Sequence, residues 1–196
     1  MRIAVLSRKI IPTLVSCVVI FLVWNSLDIE GYQQHFGREA ALVTGEQQFL
    51  SDVQVEHSQK DETWVVRKID AAETRVYVAV YSFTLPSLRE ALVRAYERGV
   101  DVCVILEKNP FQTPTINRET KTYLLENSIP LHESDQKQFT FMHAKYMIFD
   151  DEWIVETANW TRASFSKNRE FFMHGNDVGI RDDLLRIFES DFSGHI

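Results

Sequence analysis

Residues 140–157 read TFMHAKYMIFDDEWIVET and contain two apolar runs separated by the acidic turn Asp150-Asp151-Glu152. β-branched and aromatic residues dominate both runs, so the sequence predicts one strand over residues 140–149 and a second over residues 153–157. His143 and Lys145 are two residues apart in the first run, and on a strand this spacing places both side chains on one face. One phosphate group could therefore contact both side chains.

The rest of the chain from about residue 50 alternates short apolar strands with helical stretches. Residues 100–106 form a continuous apolar run, which is typical of a buried parallel strand. The alternation predicts an α/β layer fold for residues 50–196. Further strands are expected over residues 52–57, 75–83, 129–132 and 170–174, and helices over residues 61–72, 87–99 and 118–126 and after Asp182.

The N-terminal part contains 18 consecutive uncharged residues, residues 10–27. As a helix they are about 27 Å long, close to the roughly 30 Å hydrocarbon core of a bilayer. Three basic residues precede the run and acidic residues follow it, so the positive-inside rule places the N-terminus in the cytoplasm. We therefore expect a signal-anchor over residues 1–29, a juxtamembrane spacer over residues 30–49 and a domain on the extracytoplasmic side, periplasmic or extracellular.

A cleaved signal peptide is the alternative interpretation of this N-terminal run, and it predicts a secreted protein. No cleavage site with small residues in the A-x-A pattern follows the run, which favours the anchor. A buried N-terminal helix fits less well because the run has no polar face.

The charge balance limits the ways in which this chain can bind an anion. The formal net charge is -7, which argues against general electrostatic attraction to DNA or anionic lipid. A local basic stretch, Arg162, Lys167 and Arg169, has no acidic residue within it. Two cysteines, Cys17 and Cys103, are too few for a disulfide scaffold, and both are expected to be small buried hydrophobic residues.

The pattern His143-x-Lys145-x4-Asp150, followed by Glu156-Thr157-Ala158-Asn159 and by Glu170, resembles the signature of the phospholipase D superfamily. Residues 81–102 also look like the first strand-helix-strand unit of that family. Glu156 and Thr157 replace the usual Gly and Ser. The resemblance implies a mixed, mostly parallel sheet flanked by helices, here preceded by one transmembrane helix.

The resemblance also implies roles for individual residues in phosphodiester hydrolysis. His143 is expected to attack phosphorus and form a phosphohistidine, while Lys145 and Asn159, helped by Thr157 or Thr161, bind the non-bridging oxygens. Glu170 is expected to hold the imidazole tautomer by a hydrogen bond to its far nitrogen. Asp150 completes the catalytic set in a supporting structural role. No metal ligand set or cofactor is expected, since the chain has no H-x-x-x-H and no cysteine pair.

The chain has a single H-x-K motif, whereas members of this superfamily build one active site from two. The resemblance therefore implies a two-fold homodimer in which His143 of one protomer faces His143 of the other. The second imidazole would protonate the leaving oxygen.

Two substrate classes and an inactive alternative remain open at this stage. Single-motif members look like either the secreted non-specific endonuclease group or the membrane-anchored mitochondrial-type group. The short loop at residues 109–117 and the basic stretch favour a nuclease acting on DNA or RNA, and the acidic total charge with the anchor favours a phospholipid hydrolase. An inactive membrane-tethered binding module is the third interpretation, because a charged Glu156 beside the phosphate would weaken substrate binding.

Overall fold

The computed structural model describes residues 53–57, 62–134 and 140–193. The expected anchor and spacer, residues 1–29 and 30–49, lie outside the described residues. Within the described ranges, no helix is long and apolar enough to cross a membrane. The strands are β1 (Val53–His57), β2 (Arg75–Val80), β3 (Asp101–Leu106), β4 (Leu131–Glu133), β5 (Lys145–Phe149), β6 (Glu152–Glu156) and β7 (Phe171–Gly175). The helices are α1 (Glu62–Ala71), α2 (Pro86–Glu97), α3 (Arg118–Glu126), α4 (Arg162–Ser166) and α5 (Val178–Ser193).

The described strands form one sheet in the order β1-β7-β6-β5-β2-β3-β4. The α/β class and the mixed sheet are confirmed, but the expectation of a mostly parallel sheet is wrong. Only the β2–β3 and β3–β4 pairs are parallel, and the other four pairs are antiparallel. The β5–β6 pair is antiparallel because the turn at Asp150 and Asp151 is short, and a hairpin this tight can join only antiparallel strands.

Helices α1 and α2 cover one face of the sheet and α5 covers the other. Leu88, Ala91, Leu92 and Ala95 of α2 are buried in the larger core cluster, as their helical spacing predicts. The chain then turns at Gly99, whose φ of 91° suits a residue without Cβ. On the opposite face, Phe188 of α5 stacks on Tyr77 of β2 at 4.9 Å between ring centroids.

Several boundaries differ from those expected from the sequence. The chain before Lys145 is not part of β5, and β7 begins at Phe171. Helix α5 begins earlier than Asp182, because Oδ1 of Asp177 accepts a 2.9 Å hydrogen bond from the backbone N–H of Ile180. The short helix α4 was not expected, since the basic stretch shows no helical pattern. Cys103 is only half-buried.

Candidate active site

The site lies at the sheet edge where the parallel strands end. Lys145, the first residue of β5, is paired with Val80, the last residue of β2, and Leu106 ends the neighbouring β3. Loops that follow the carboxyl ends of parallel strands commonly form ligand sites. Tyr81 directly follows β2 and therefore lies beside the start of β5.

His143 and Lys145 meet at this edge. Nζ of Lys145 is 3.1 Å from Nδ1 and 3.3 Å from Nε2 of the His143 imidazole, and it donates a 2.7 Å hydrogen bond to the backbone carbonyl of His143. The expected proximity of the two side chains is thus present, although His143 precedes the strand. Lys145 is buried whereas His143 is exposed, so the imidazole is open to an incoming group.

Burial and charge act on both side chains in ways that suit a nucleophile and a cation. Burial lowers the pKa of the His143 imidazole, and the neighbouring positive charge of Lys145 lowers it further. His143 is therefore neutral at pH 7 and has a nitrogen lone pair available. Burial also lowers the pKa of Lys145, while the charges of Glu170 and Glu156 oppose this effect.

A cavity of about 360 Å³ opens beside these two residues. Its lining includes His143, Lys145, Val155, Glu156 and Thr157, with Leu184 contributed by α5. Lys145 and Thr157 of the expected phosphate-binding set line this cavity, and Asn159 and Thr161 are not among its lining residues.

Glu156 is 7% exposed and carries an incompletely paired carboxyl group. Its Oε1 accepts a 2.7 Å hydrogen bond from Nε1 of Trp160, while Oε2 is buried with no hydrogen-bond partner. Burial raises the pKa of Glu156 to about 8, the Trp160 hydrogen bond opposes the rise, and the charge of Glu170 adds to it. Glu156 therefore holds its proton at pH 7, and the negative charge expected beside the phosphate is absent at that pH.

Glu170 does not make the hydrogen bond expected for it. Its Oε2 accepts a 2.6 Å hydrogen bond from Oγ1 of Thr157, and its Oε1 accepts one of 3.0 Å from Nδ2 of Asn168. No hydrogen bond joins Glu170 to His143 within the described part of the chain. Glu170 lies immediately before β7, and its charge acts on Lys145 rather than on the imidazole.

The three small polar residues after β6 have separate partners. The hydroxyl of Thr157 donates to Glu170 and accepts from the N–H of Phe171, and Oδ1 of Asn159 accepts from the N–H of Ser82. Oγ1 of Thr161 accepts from the N–H of Ser164 and thereby caps α4. All three residues lie outside the strand, because β6 ends at Glu156.

Asp150 lies at the far end of β5 from His143, outside the cavity lining. Its Oδ1 accepts hydrogen bonds from the N–H groups of Thr74 and Arg75 at 2.8 and 3.2 Å and from Oγ1 of Thr74 at 2.7 Å. The N–H of Glu73 donates to Oδ2 at 3.0 Å. Asp150 thus connects the β5–β6 turn to the start of β2, which is a supporting position and not a contact with the reacting groups.

An aromatic side chain that the sequence pattern did not indicate lies beside His143. The ring of Tyr81 is 4.6 Å from the imidazole of His143, and Nζ of Lys145 lies 5.4 Å from the centroid of the Tyr81 ring. Phe141 packs edge-on against Tyr81 at 6.3 Å. The available signal was the position of Tyr81 directly after a buried strand that ends at the same edge as Lys145.

The basic stretch surrounds α4, and its members Arg162, Lys167 and Arg169 are all exposed. The guanidinium of Arg169 lies 5.9 Å from the ring centroid of Phe171. Over the described ranges, no three His, Cys, Asp or Glu side chains are grouped so that they could hold a metal ion.

This chain is similar to known proteins in sequence and in structure. A family model described as "Cardiolipin synthase, PLD-like domain" matches residues 65–192. Mitochondrial cardiolipin hydrolase of Mus musculus is 25% identical over 138 residues, which cover 69% of this chain and 58% of that protein. The homologous protein of Canis lupus familiaris is also 25% identical, with 50% of its length covered. This chain thus spans little more than half the length of the curated relatives it matches.

Two solved structures have a similar fold. The phospholipase D family member Nuc from Salmonella typhimurium has a TM-score of 0.65 and 28% identity, with 72% of this chain and 93% of that chain covered. NucT from Helicobacter pylori has a TM-score of 0.58 and 19% identity, covering 72% of this chain and 96% of that one. The second similarity concerns the fold alone.

Proposed function

This chain belongs to the phospholipase D superfamily, and from that premise we propose that it is a phosphodiester hydrolase with His143 as nucleophile and nucleic acid as substrate. The observation that carries the proposal is the contact between His143 and Lys145. It pairs an exposed imidazole, neutral at pH 7, with a buried ammonium group 3.1 Å away at the same cavity.

The proposed reaction has two steps. A ring nitrogen of His143 attacks phosphorus, a P–N bond forms, and the P–O bond to the leaving oxygen breaks as that oxygen takes a proton from a general acid. Water then attacks the phosphohistidine and gives a proton back to the group that acted as general acid, the P–N bond breaks, and His143 regains its lone pair. The ammonium of Lys145 stabilises the negative charge that develops on the non-bridging oxygens in both steps.

The general acid is proposed to be His143 of a second protomer in a homodimer, which would have to be the protonated one of the two imidazoles. The other imidazoles that the structure describes lie elsewhere: His174 contacts Trp64, and His132 contacts Phe192. Val155 of β6 lines the cavity, and its cross-strand partner on β7 is Met173. Val155, Met173 and Phe171 are 37%, 39% and 46% exposed. These three residues form an apolar strip on one sheet face beside His143, which suits burial against a second copy.

Nucleic acid is preferred as the substrate because of the exposed cations around α4. Arg162, Lys167 and Arg169 follow Asn159 in the chain and can contact successive phosphates of a polyanion. The total charge of the chain is negative, so binding has to rely on this local stretch. We propose that residues 10–27 anchor the protein in a membrane with the hydrolase domain on the extracytoplasmic side.

A phospholipid headgroup is the second candidate substrate, favoured by the curated relatives, both of which are named mitochondrial cardiolipin hydrolase. The same His143 and Lys145 chemistry applies to a lipid phosphodiester. An anchored domain would meet such a substrate at the membrane surface.

One experiment compares both substrates. The purified full chain is assayed in excess EDTA against native and heat-denatured plasmid DNA and against vesicles that contain cardiolipin or phosphatidylcholine. We expect DNA cleavage by the wild-type chain, its loss in His143→Asn, and its retention in the control His132→Asn, which removes an imidazole outside the cavity. Cleavage by His143→Asn at the wild-type rate would contradict the nucleophile, and hydrolysis of lipid alone would select the second candidate.

A further inference from the structure

We propose that the ring of Phe111 is a base-stacking subsite, and that the substrate bound there is single-stranded nucleic acid. This inference rests on the proposed function and names the form of its substrate. It concerns a residue 32 positions before His143 in the chain, on the loop between β3 and α3.

A series of aromatic rings runs from the nucleophile to the surface. Tyr81 contacts His143, Phe141 packs against Tyr81, and Phe111 lies 6.1 Å from Phe141 between ring centroids. Tyr81 is buried and Phe141 is half-buried, whereas Phe111 is 65% exposed. A nucleic acid strand whose phosphate lies at His143 and Lys145 would reach the exposed ring within a few nucleotides.

The loop that carries Phe111 is firmly attached to the site. The N–H of Phe111 donates a 2.5 Å hydrogen bond to the hydroxyl oxygen of Tyr81. The buried amide of Asn117 accepts from the N–H of Phe83 and donates to the carbonyl oxygens of Tyr81 and Glu107. Because the loop is held by these bonds, little conformational entropy remains to be lost when a ligand binds.

The exposure of Phe111 comes with unfavourable backbone geometry. Gln112, the next residue, has a φ of 60°, a left-handed conformation that residues other than glycine seldom adopt. Such geometry is retained where the surrounding structure enforces it, and it concentrates at ligand sites. Presenting this ring to solvent therefore has two free-energy costs, the exposed apolar surface of Phe111 and the strained backbone at Gln112.

The surroundings of the ring favour a base over an acyl chain. The other exposed side chains of the loop include Lys108, Asn109, Gln112 and Thr113, which are polar or charged. A single flat apolar ring with a polar border matches one base, while an acyl chain or a bilayer surface requires a continuous apolar area. Bases in a duplex are already stacked on each other, so the ring selects unpaired strands.

The test measures binding without cleavage. Every protein carries His143→Asn, and fluorescence anisotropy gives the Kd for a labelled single-stranded oligonucleotide. Phe111→Leu keeps an apolar side chain but removes the aromatic face, and Phe111→Trp keeps the face. Tyr96→Leu is the matched control, because Tyr96 is an exposed aromatic residue on α2.

We expect Phe111→Leu to raise the Kd about tenfold, the usual order for one lost stacking contact, and Phe111→Trp and Tyr96→Leu to leave it unchanged. The loss in Phe111→Leu should disappear on an oligonucleotide in which the stacked nucleotide is abasic. An unchanged Kd in Phe111→Leu would overturn the inference. It would also be overturned if Phe111→Leu lost the same amount of affinity for every oligonucleotide in a series with the abasic site at successive positions.

Three further outcomes separate this inference from the proposed function. If Phe111→Leu binds oligonucleotide normally while His143-dependent cleavage of DNA is observed, the subsite is wrong and the hydrolase stands. If instead Phe111→Asp abolishes binding to cardiolipin vesicles and no oligonucleotide binds, Phe111 is a lipid contact and the inference is overturned. Stacking that persists in a chain without hydrolase activity would support the subsite and contradict the proposed function.

Discussion

The indole Nε1 of Trp160 donates a 2.7 Å hydrogen bond to Oε1 of Glu156, and Oε2 of the same carboxyl group has no partner. The arrangement suits a protonated carboxyl group, because an ionised oxygen without a donor is costly to bury. Glu156 occupies the position where the superfamily usually has glycine. A neutral carboxyl group at this place would let a glutamate line the proposed phosphate site at neutral pH.

The first prediction concerns pH-dependent stability. The folded pKa of Glu156, about 8, lies above the ordinary value of 4.5, so the folded chain keeps a proton that the unfolded chain releases. The free energy of unfolding therefore falls as the pH rises from 4.5 to 8, by up to about 1.4 kcal/mol per pH unit. Glu156→Gln should remove this dependence and raise stability at pH 8, as measured by urea unfolding at pH 5, 6.5 and 8. Glu126→Gln, on the exposed side of α3, is the control, and an equal effect of Glu156→Gln at all three pH values would contradict the prediction.

The second prediction concerns the charge on Lys145. Lys145→Met should lower kcat by about 10²- to 10³-fold, the usual cost of losing one donor that stabilises transition-state charge. It should also raise the pKa of His143, since the Lys145 charge is the second cause of its depression after burial. Lys145→Arg keeps the charge and should keep the low pKa. The measurement is an NMR titration of the His143 ring. An identical His143 pKa in the Lys145→Met and wild-type proteins would contradict the electrostatic role of Lys145.

The third prediction separates stability from activity at Asp150. Its φ of 48° and its bonds to residues 73–75 suit aspartate or asparagine but not alanine. Asp150→Ala should lower the free energy of unfolding by about 1–2 kcal/mol, whereas Asp150→Asn should keep most of the wild-type stability. Neither substitution should change kcat of the folded protein by as much as Lys145→Met does. A kcat loss in Asp150→Asn equal to that in Lys145→Met would place Asp150 in the chemistry.

The carboxyl group of Asp150 also predicts that the stability difference between wild type and Asp150→Asn depends on pH in the acid range. Burial raises its pKa, but the hydrogen bonds from Thr74, Glu73 and Arg75 outweigh this, so the net shift is downward. A lowered folded pKa stabilises the protein above the unfolded value of 3.8, and this contribution is lost as the pH falls through the folded pKa. The stability advantage of wild type over Asp150→Asn should therefore narrow below about pH 4, as followed by urea unfolding.

The fourth prediction concerns the apolar strip of Val155, Phe171 and Met173. Met173→Glu places a charge on an exposed position beside the site, where it opposes burial against a second copy without disturbing the core. We expect the proposed homodimer of the Met173→Glu protein to dissociate in sedimentation experiments, and the rate of hydrolysis to fall as it dissociates. Val178→Glu makes the same change at an exposed position on α5 and should have no effect. An active monomer of either protein would contradict the paired His143 arrangement.

Local chemistry along the chain was enough to predict much of the fold. Helical spacing located α2 and α3, and the bounds of α3 match the expectation of residues 118–126. The spacing of His143 and Lys145 predicted that the two side chains meet. Strand direction could not be predicted in the same way, because β6 and β7 are joined by residues 157–170, which include α4, and the direction in which such strands pair depends on the whole sheet.

The sequence by itself determined which residue types are available to the proposed phosphate site and the order in which they occur, since both depend on covalent spacing. The tertiary structure alone decided that Glu170 bonds to Thr157 and Asn168, that the carboxyl group of Glu156 is buried, and that the exposed ring of Phe111 lies beside Phe141. Each of these facts depends on contacts between segments distant in the chain. Burial and the choice of hydrogen-bond partner are properties of packed segments, so they arise only when the sheet and its loops come together.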